Sequence, residues 1–138
     1  MKLDVVTPEG SKITDMDTVE ITLPGIVGEM GILPGHVAMM AGLGAGPMLV
    51  QTDKGPQLFA ISGGFVEVLN EQVRVLTETC EGFADIDADR AREKLVGANT
   101  NLDGFSPADG EAYQVALSSV KKHETRIKVA EDGKSLGG

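Results

Sequence analysis

An all-β sandwich followed by a C-terminal α-helical hairpin is the fold class this sequence predicts, and three observations carry it. Turn signals recur every ~8–12 residues through the first part of the chain, as a sandwich or barrel requires. The runs between them alternate apolar and polar residues, which places the two kinds on opposite faces of a strand. Val19, Ile21 and Leu23 alternate with Glu20 and Thr22, Val66 and Val68 flank Glu67, and Val73 and Val75 flank Arg74. From Asp85 the spacing becomes helical, with Ala88, Ala91, Leu95 and Ala98 sharing one face. The expected division is a β-sandwich over residues 1–84 and a two-helix hairpin over residues 85–138.

Taken in order, Leu3 to Thr7 is an apolar run closed by Pro8-Glu9-Gly10, and Lys12 to Thr14 starts the returning strand of a hairpin. Thr18 to Leu23 is the most regular strand. Val37–Leu43 and Met48–Thr52 read as two strands divided by a turn at Gly44-Ala45-Gly46-Pro47. Gln57–Ser62 and Phe65–Leu69 read likewise as two strands, divided by Gly63-Gly64. Asp53-Lys54-Gly55 and Asn70-Glu71 are hairpin tips, and Gln72–Thr79 closes the β part.

In the first helix Asp85 and Asp87 suit the positive end of the helix dipole, Gly97 weakens the middle, and Asn99-Thr100-Asn101 is the expected end. Ser106 is the expected N-cap of the second helix, with Pro107 at its first position and Asp109 three residues on. Tyr113, Ala116, Leu117, Val120 and Ile127 form its apolar stripe, and Glu131 to Gly138 reads as a frayed tail.

Composition narrows the function. The chain has 138 residues, 41% hydrophobic but only 4% aromatic and without Trp, so its core is aliphatic. A net charge of −9 excludes nucleic acid as a partner class, because phosphate binding needs clustered Lys and Arg. The imbalance lies in residues 1–84, with 4 basic and 11 acidic side chains, against 8 and 10 in residues 85–138. Cys80 stands alone and no charged-then-apolar leader precedes Leu3, which points to a reducing, cytoplasmic setting. No apolar run approaches the ~18 residues that span a bilayer, so membrane association would come through another chain.

The densest signal is Gly25 to His36, Gly-Ile-Val-Gly-Glu-Met-Gly-Ile-Leu-Pro-Gly-His, where glycines and proline force tight turns while apolar side chains stay in play. That is a shaped contact loop. Gly42, Gly44 and Gly46 do not have dinucleotide-site spacing, and Ser62-Gly63-Gly64 lacks the preceding Gly of a nucleophile elbow. His36 and His123 stand apart in sequence without a metal-ligand pattern, and no pair of carboxylates suggests a hydrolase. Neither a catalytic residue nor a resident cofactor is expected.

Gly-Glu-Met-Gly-Ile-Leu-Pro-Gly-His at 28–36, Ile-Ser-Gly-Gly-Phe-Val-Glu-Val at 61–68 and Ile-Asp-Ala-Asp-Arg-Ala at 86–91 together resemble the epsilon subunit of F-type ATP synthases. The likeness implies a non-catalytic rotor part of the central stalk, bound to the gamma subunit and the c-subunit ring, below the catalytic alpha/beta head. It implies a place on the cytoplasmic face of a bacterial cell membrane, held there by the complex. Carried across, Glu29, Gly31, Ile32 and His36 would face the c ring, and Ser62 would face gamma.

The hairpin would be the regulatory part, restraining ATP hydrolysis when Lys121, Lys122, Arg126 and Lys128 meet an acidic segment of the beta subunit. Lys122 and Arg126 are expected on a shared face away from the apolar stripe. The same resemblance raises a regulatory ATP held by Glu81, Ile86, Asp87, Arg90, Ala91 and Arg126, weakened because Gly97 stands where ATP-binding relatives can carry another Arg. An ATP-sensing module is accordingly the rival function.

Overall fold

The computed structural model describes residues 1–35 and 38–136. Among them, eight strands form one mixed sheet: β1 (Lys2–Thr7), β2 (Gly10–Asp17), β3 (Glu20–Pro24), β4 (Glu29–Ile32), β5 (Met39–Thr52), β6 (Gly55–Leu69), β7 (Gln72–Thr77) and β8 (Cys80–Gly82). Two helices follow, α1 (Ala88–Asp103) and α2 (Glu111–Leu136). The strand order is β2-β1-β7-β6-β5-β3-β4, with β8 also on β6. All pairs are antiparallel except β1 with β7.

One sheet makes a sandwich because β5 and β6 are long enough to belong to both layers. The second half of β5 and the first half of β6 pair with β3 and β8, while their other halves lead to β7. Inward side chains from both layers then share one core. Leu3, Val5, Val73 and Val75 meet Ile21, Leu23, Ile32, Met48, Val50 and Ile61 there.

This corrects the reading of Gly44–Pro47 as a turn and of Gly63-Gly64 as a break between two strands. Hydrogen-bonded pairing runs through both stretches, with Gly46 opposite Ile61 and Leu43 opposite Gly64. The glycines let extended backbone cross from one layer to the other. Gly64 has φ +133, and a Cβ placed on it would overlap the carbonyl oxygen of Leu76 on β7. By contrast Asn70 and Glu71 adopt φ 51 and 64, the mirror-image turn that a two-residue hairpin needs.

The alternation expected from Thr18 slips at its start. Thr18 is buried and tied to Met1 through its amide and hydroxyl, so Val19 turns outward and is 49% exposed. Ile21 and Leu23 keep their places in the core.

In the helical part, the Asp87 side chain caps α1 by accepting from the Arg90 amide at 3.0 Å. Gly97 meets only open space, and α1 continues past Asn99–Asn101 to Asp103. The capping box of Ser106 and Asp109 closes a short 3-10 turn, Pro107–Asp109, and Gly110 with φ 63 redirects the chain before α2 begins at Glu111. Ala91 and Ala98 of α1 and Ala116 and Val120 of α2 are buried, and such short side chains allow close helix packing.

The stretch read as a frayed tail is helical through Leu136. It is held by tertiary contact. Val129 is fully buried against Leu58 and Ala60 of β6, with Leu49, Phe83 and Ile86 around them. One turn on, Gly133 lies so close to Phe83 that any Cβ would overlap its side chain.

Candidate functional site

The hairpin closes over the β8 edge of the sandwich, and charged side chains from both parts meet in a cleft of about 520 Å³. Its centre is a forked ion pair. Arg126 Nε donates to Glu81 Oε1 at 2.8 Å and Nη2 donates to Oε2 at 3.3 Å, with the Arg126 side chain only 12% exposed. Arg126 therefore does not point into solvent beside the apolar stripe. It shares with Lys122 the face turned to the sandwich, because Glu81 supplies the carboxylate there.

One turn earlier, His123 Nδ1 lies 3.3 Å from Arg126 Nη1. A guanidinium has no lone pair to offer, so Arg126 donates and the imidazole accepts, which puts the ring proton on Nε2. Burial holds the His123 imidazole below its ordinary value, and the cations Arg126, Lys122 and Lys94 add to this against the opposing pull of Glu81. The neighbouring Cys80 thiol is pushed up to about 11, chiefly by burial, which makes it a packing group and a poor nucleophile.

Of the positions that the resemblance pointed to for ATP, Glu81, Asp87, Arg90 and Arg126 line this cleft. Ile86 instead packs in the cluster around Val129, and Ala91 is fully buried. Asp87 is engaged as the cap of α1. Sequence reasoning missed Lys94, Lys12 and His123 as cleft residues. Lys94 had a signal, since it follows Arg90 by four residues on the same helix face. Lys12 had none, because only the tertiary fold brings the β1–β2 hairpin there.

The basic cluster of α2 is divided by this docking. Lys121 and Lys128 are exposed, whereas Lys122 is half-buried in the cleft and Arg126 is paired. Arg92 on α1 bridges to Glu131 at 3.2 Å and ties the helices together outside the cleft.

The glycine-rich loop joins β3 to β4, and Leu23 and Ile32 anchor its two ends in the core. Val27 at its tip is fully in solvent, Ile26 is 74% exposed, and Leu33 beyond β4 is also exposed. Glu29 and Gly31 are exposed as well. Ile32 is corrected from contact to core: strand alternation turns it inward, where it is 0% exposed. His36 lies outside the described residues. Gly35, just before it, donates its amide to Glu71 at 2.6 Å, bracing the loop on the β6–β7 turn.

Ser62 sits where β6 changes layers, and its hydroxyl oxygen accepts from the Thr79 amide and the Thr79 hydroxyl, both at 2.9 Å. Its own amide donates to the Thr77 hydroxyl at 3.3 Å. The side chain is half-buried, and this hydroxyl group of three residues pins the passage from β7 to β8.

Comparison with known proteins agrees with this architecture. Residues 1–83 match the family described as ATP synthase, Delta/Epsilon chain, beta-sandwich domain. The ATP synthase epsilon chain of Geobacter metallireducens is 37% identical over 137 residues, covering 98% of this chain and 95% of that one. That of Staphylococcus haemolyticus is 34% identical over 131 residues, covering 95% and 96%. Among solved structures, a chain of the Euglena gracilis mitochondrial ATP synthase superimposes with a TM-score of 0.78 at 21% identity, over 95% of this chain and 81% of that one. A chain of the Tetrahymena thermophila mitochondrial ATP synthase central stalk and c ring gives 0.63 at 15% identity, over 94% and 96%. These two likenesses are of fold.

Proposed function

The chain belongs to the ATP synthase epsilon chain family, and on that premise we propose that it is a non-catalytic rotor subunit joining the c-subunit ring to gamma beneath the catalytic head. The observation that carries this reading is the exposure of Ile26 and Val27 on a loop anchored at both ends in the core. Large apolar side chains held in water on a braced loop mark a contact surface. Close packing makes the sandwich stiff enough to transmit torque through that contact. No described helix is long and apolar enough to cross a membrane. The subunit is then held peripherally, at the cytoplasmic face of a bacterial cell membrane, by its partners.

The test is a bridging assay with purified gamma and c rings. The native chain should retain rings on immobilised gamma, and changing Ile26 and Val27 together to Asp should weaken retention by at least ~10-fold, about 1.4 kcal/mol. Both side chains are exposed, so the thermal midpoint should not move. A native chain that fails to bridge the two would overturn the rotor reading.

For the hairpin we propose a regulatory role in which Lys121, Lys122, Arg126 and Lys128 reach the beta subunit only after the hairpin leaves the sandwich. Arg90, Lys94, Lys122 and Arg126 make the cleft a phosphate-attracting surface, yet Glu81 already holds Arg126. Regulatory ATP should therefore bind only at millimolar concentration in isothermal titration, and Glu81→Gln should tighten it about tenfold by freeing the guanidinium. Micromolar binding by the native chain that Arg90→Ala abolishes would instead make ATP sensing the main output.

A further inference from the structure

Among the described residues the ion pair of Arg126 and Glu81 is the polar link that joins α2 to the sandwich, and His123 is built into it as an acceptor. Acceptance requires the lone pair on Nδ1, which exists only in the neutral ring. A protonated imidazole would present N–H against the guanidinium N–H groups, at a site where His123 is only 9% exposed. Water could not screen the two cations well there. We propose that His123 is a proton-sensitive latch, whose protonation releases the helical hairpin from the β-sandwich. This inference rests on the docked geometry and is independent of the rotor role.

Burial of the ring in the docked state favours that outcome. Arg126 and Lys122 on α2 and Lys94 on α1 also oppose an imidazolium but travel with the hairpin, and Arg90 and Lys12 line the same cleft. On the acidic side, Glu9, Glu78, Asp85 and Asp87 line the cleft, but only Glu81 on β8 acts on the ring, and both its oxygens are taken by Arg126. Burial against the sandwich lowers the imidazole's affinity for a proton in the docked state, and that affinity rises once the hairpin swings out.

The released form therefore binds more protons, and acid drives release. Docking is fully supported above the ordinary imidazole value of ~6.5 and weakens as pH falls below it. The effect stops growing once pH passes below the docked-state value. Between the two values, each pH unit shifts the ratio of docked to released chains about tenfold.

The experiment is NMR on the intact chain from pH 8 down to about 4.5, a range chosen to span the histidine window. There are two histidines, so His36→Gln leaves the His123 ring as a single resolved signal. Release is read from the methyl contact between Val129 and Leu58, and the sandwich from that between Val5 and Val75. The expected result is a ring midpoint below ~6.5, with the Val129–Leu58 contact fading as the ring titrates and the Val5–Val75 contact persisting.

In His123→Gln the hairpin should stay docked through that range. A ring midpoint at or above its ordinary value, release at the same pH in His123→Gln, or simultaneous loss of both methyl contacts would each overturn the latch.

Discussion

Gly64→Ala should destabilise the sandwich by about 3 kcal/mol or more, lowering the thermal midpoint by on the order of 10 °C. Two penalties coincide at this residue. Its φ of +133 is a conformation that L side chains rarely adopt, and the added methyl would overlap the Leu76 carbonyl oxygen. Neither penalty is relieved by a side-chain rotation, because the obstacle is backbone in a strand paired to β6 at Phe65 and Leu76. The strand must move. Gly97→Ala is the control, since its position on α1 opens onto free space, and it should stabilise the chain by ~0.5–1 kcal/mol through helix propensity. A Gly64→Ala protein melting within a degree or two of the parent would show that the crossing of β6 between layers does not depend on this glycine.

Val129→Asp should release α2 without unfolding the sandwich. The side chain is fully buried in a small cluster with Leu58 and Ala60, separate from the main core. Its burial contributes ~1.5–3 kcal/mol, and an unpaired carboxylate in its place costs several more. The main core loses nothing. Amide exchange should therefore show lost protection along α2, with β1, β3 and β7 unchanged. Val115→Asp, on the same helix but 64% exposed, should leave protection as it is. Melting of the whole chain in Val129→Asp would mean that hairpin and sandwich are one cooperative unit, and retained protection would mean that docking does not rest on Val129.

Much of the candidate site was legible because its residues lie in continuous stretches. Ile26 and Val27 could be read as a contact tip from glycine and proline alone, and the helix spacing that puts the missed Lys94 on the face of Arg90 was there to be read. Ile32 was not legible as core, since the glycines around it hide the alternation that turns it inward. Arg126 was placed only on a face away from the apolar stripe for a related reason: helical spacing says which residues share a face, and nothing about what that face meets. Its partner Glu81 is 45 residues away in sequence.

The sequence by itself determined the class of each segment, the β-then-α division, the aliphatic core and the turn tips at Asp53–Gly55 and Asn70–Glu71. These depend on periodicity and on backbone preference, which act within a few residues. The tertiary structure decided that β5 and β6 each run unbroken through both layers, that β1 pairs parallel with β7, and that α2 continues to Leu136. It also decided that His123 accepts from Arg126 inside a cleft. Each of these is settled by packing between distant segments, where burial of Val129 and the close fit of Gly133 on Phe83 outweigh the weak helix preference of a glycine-containing tail.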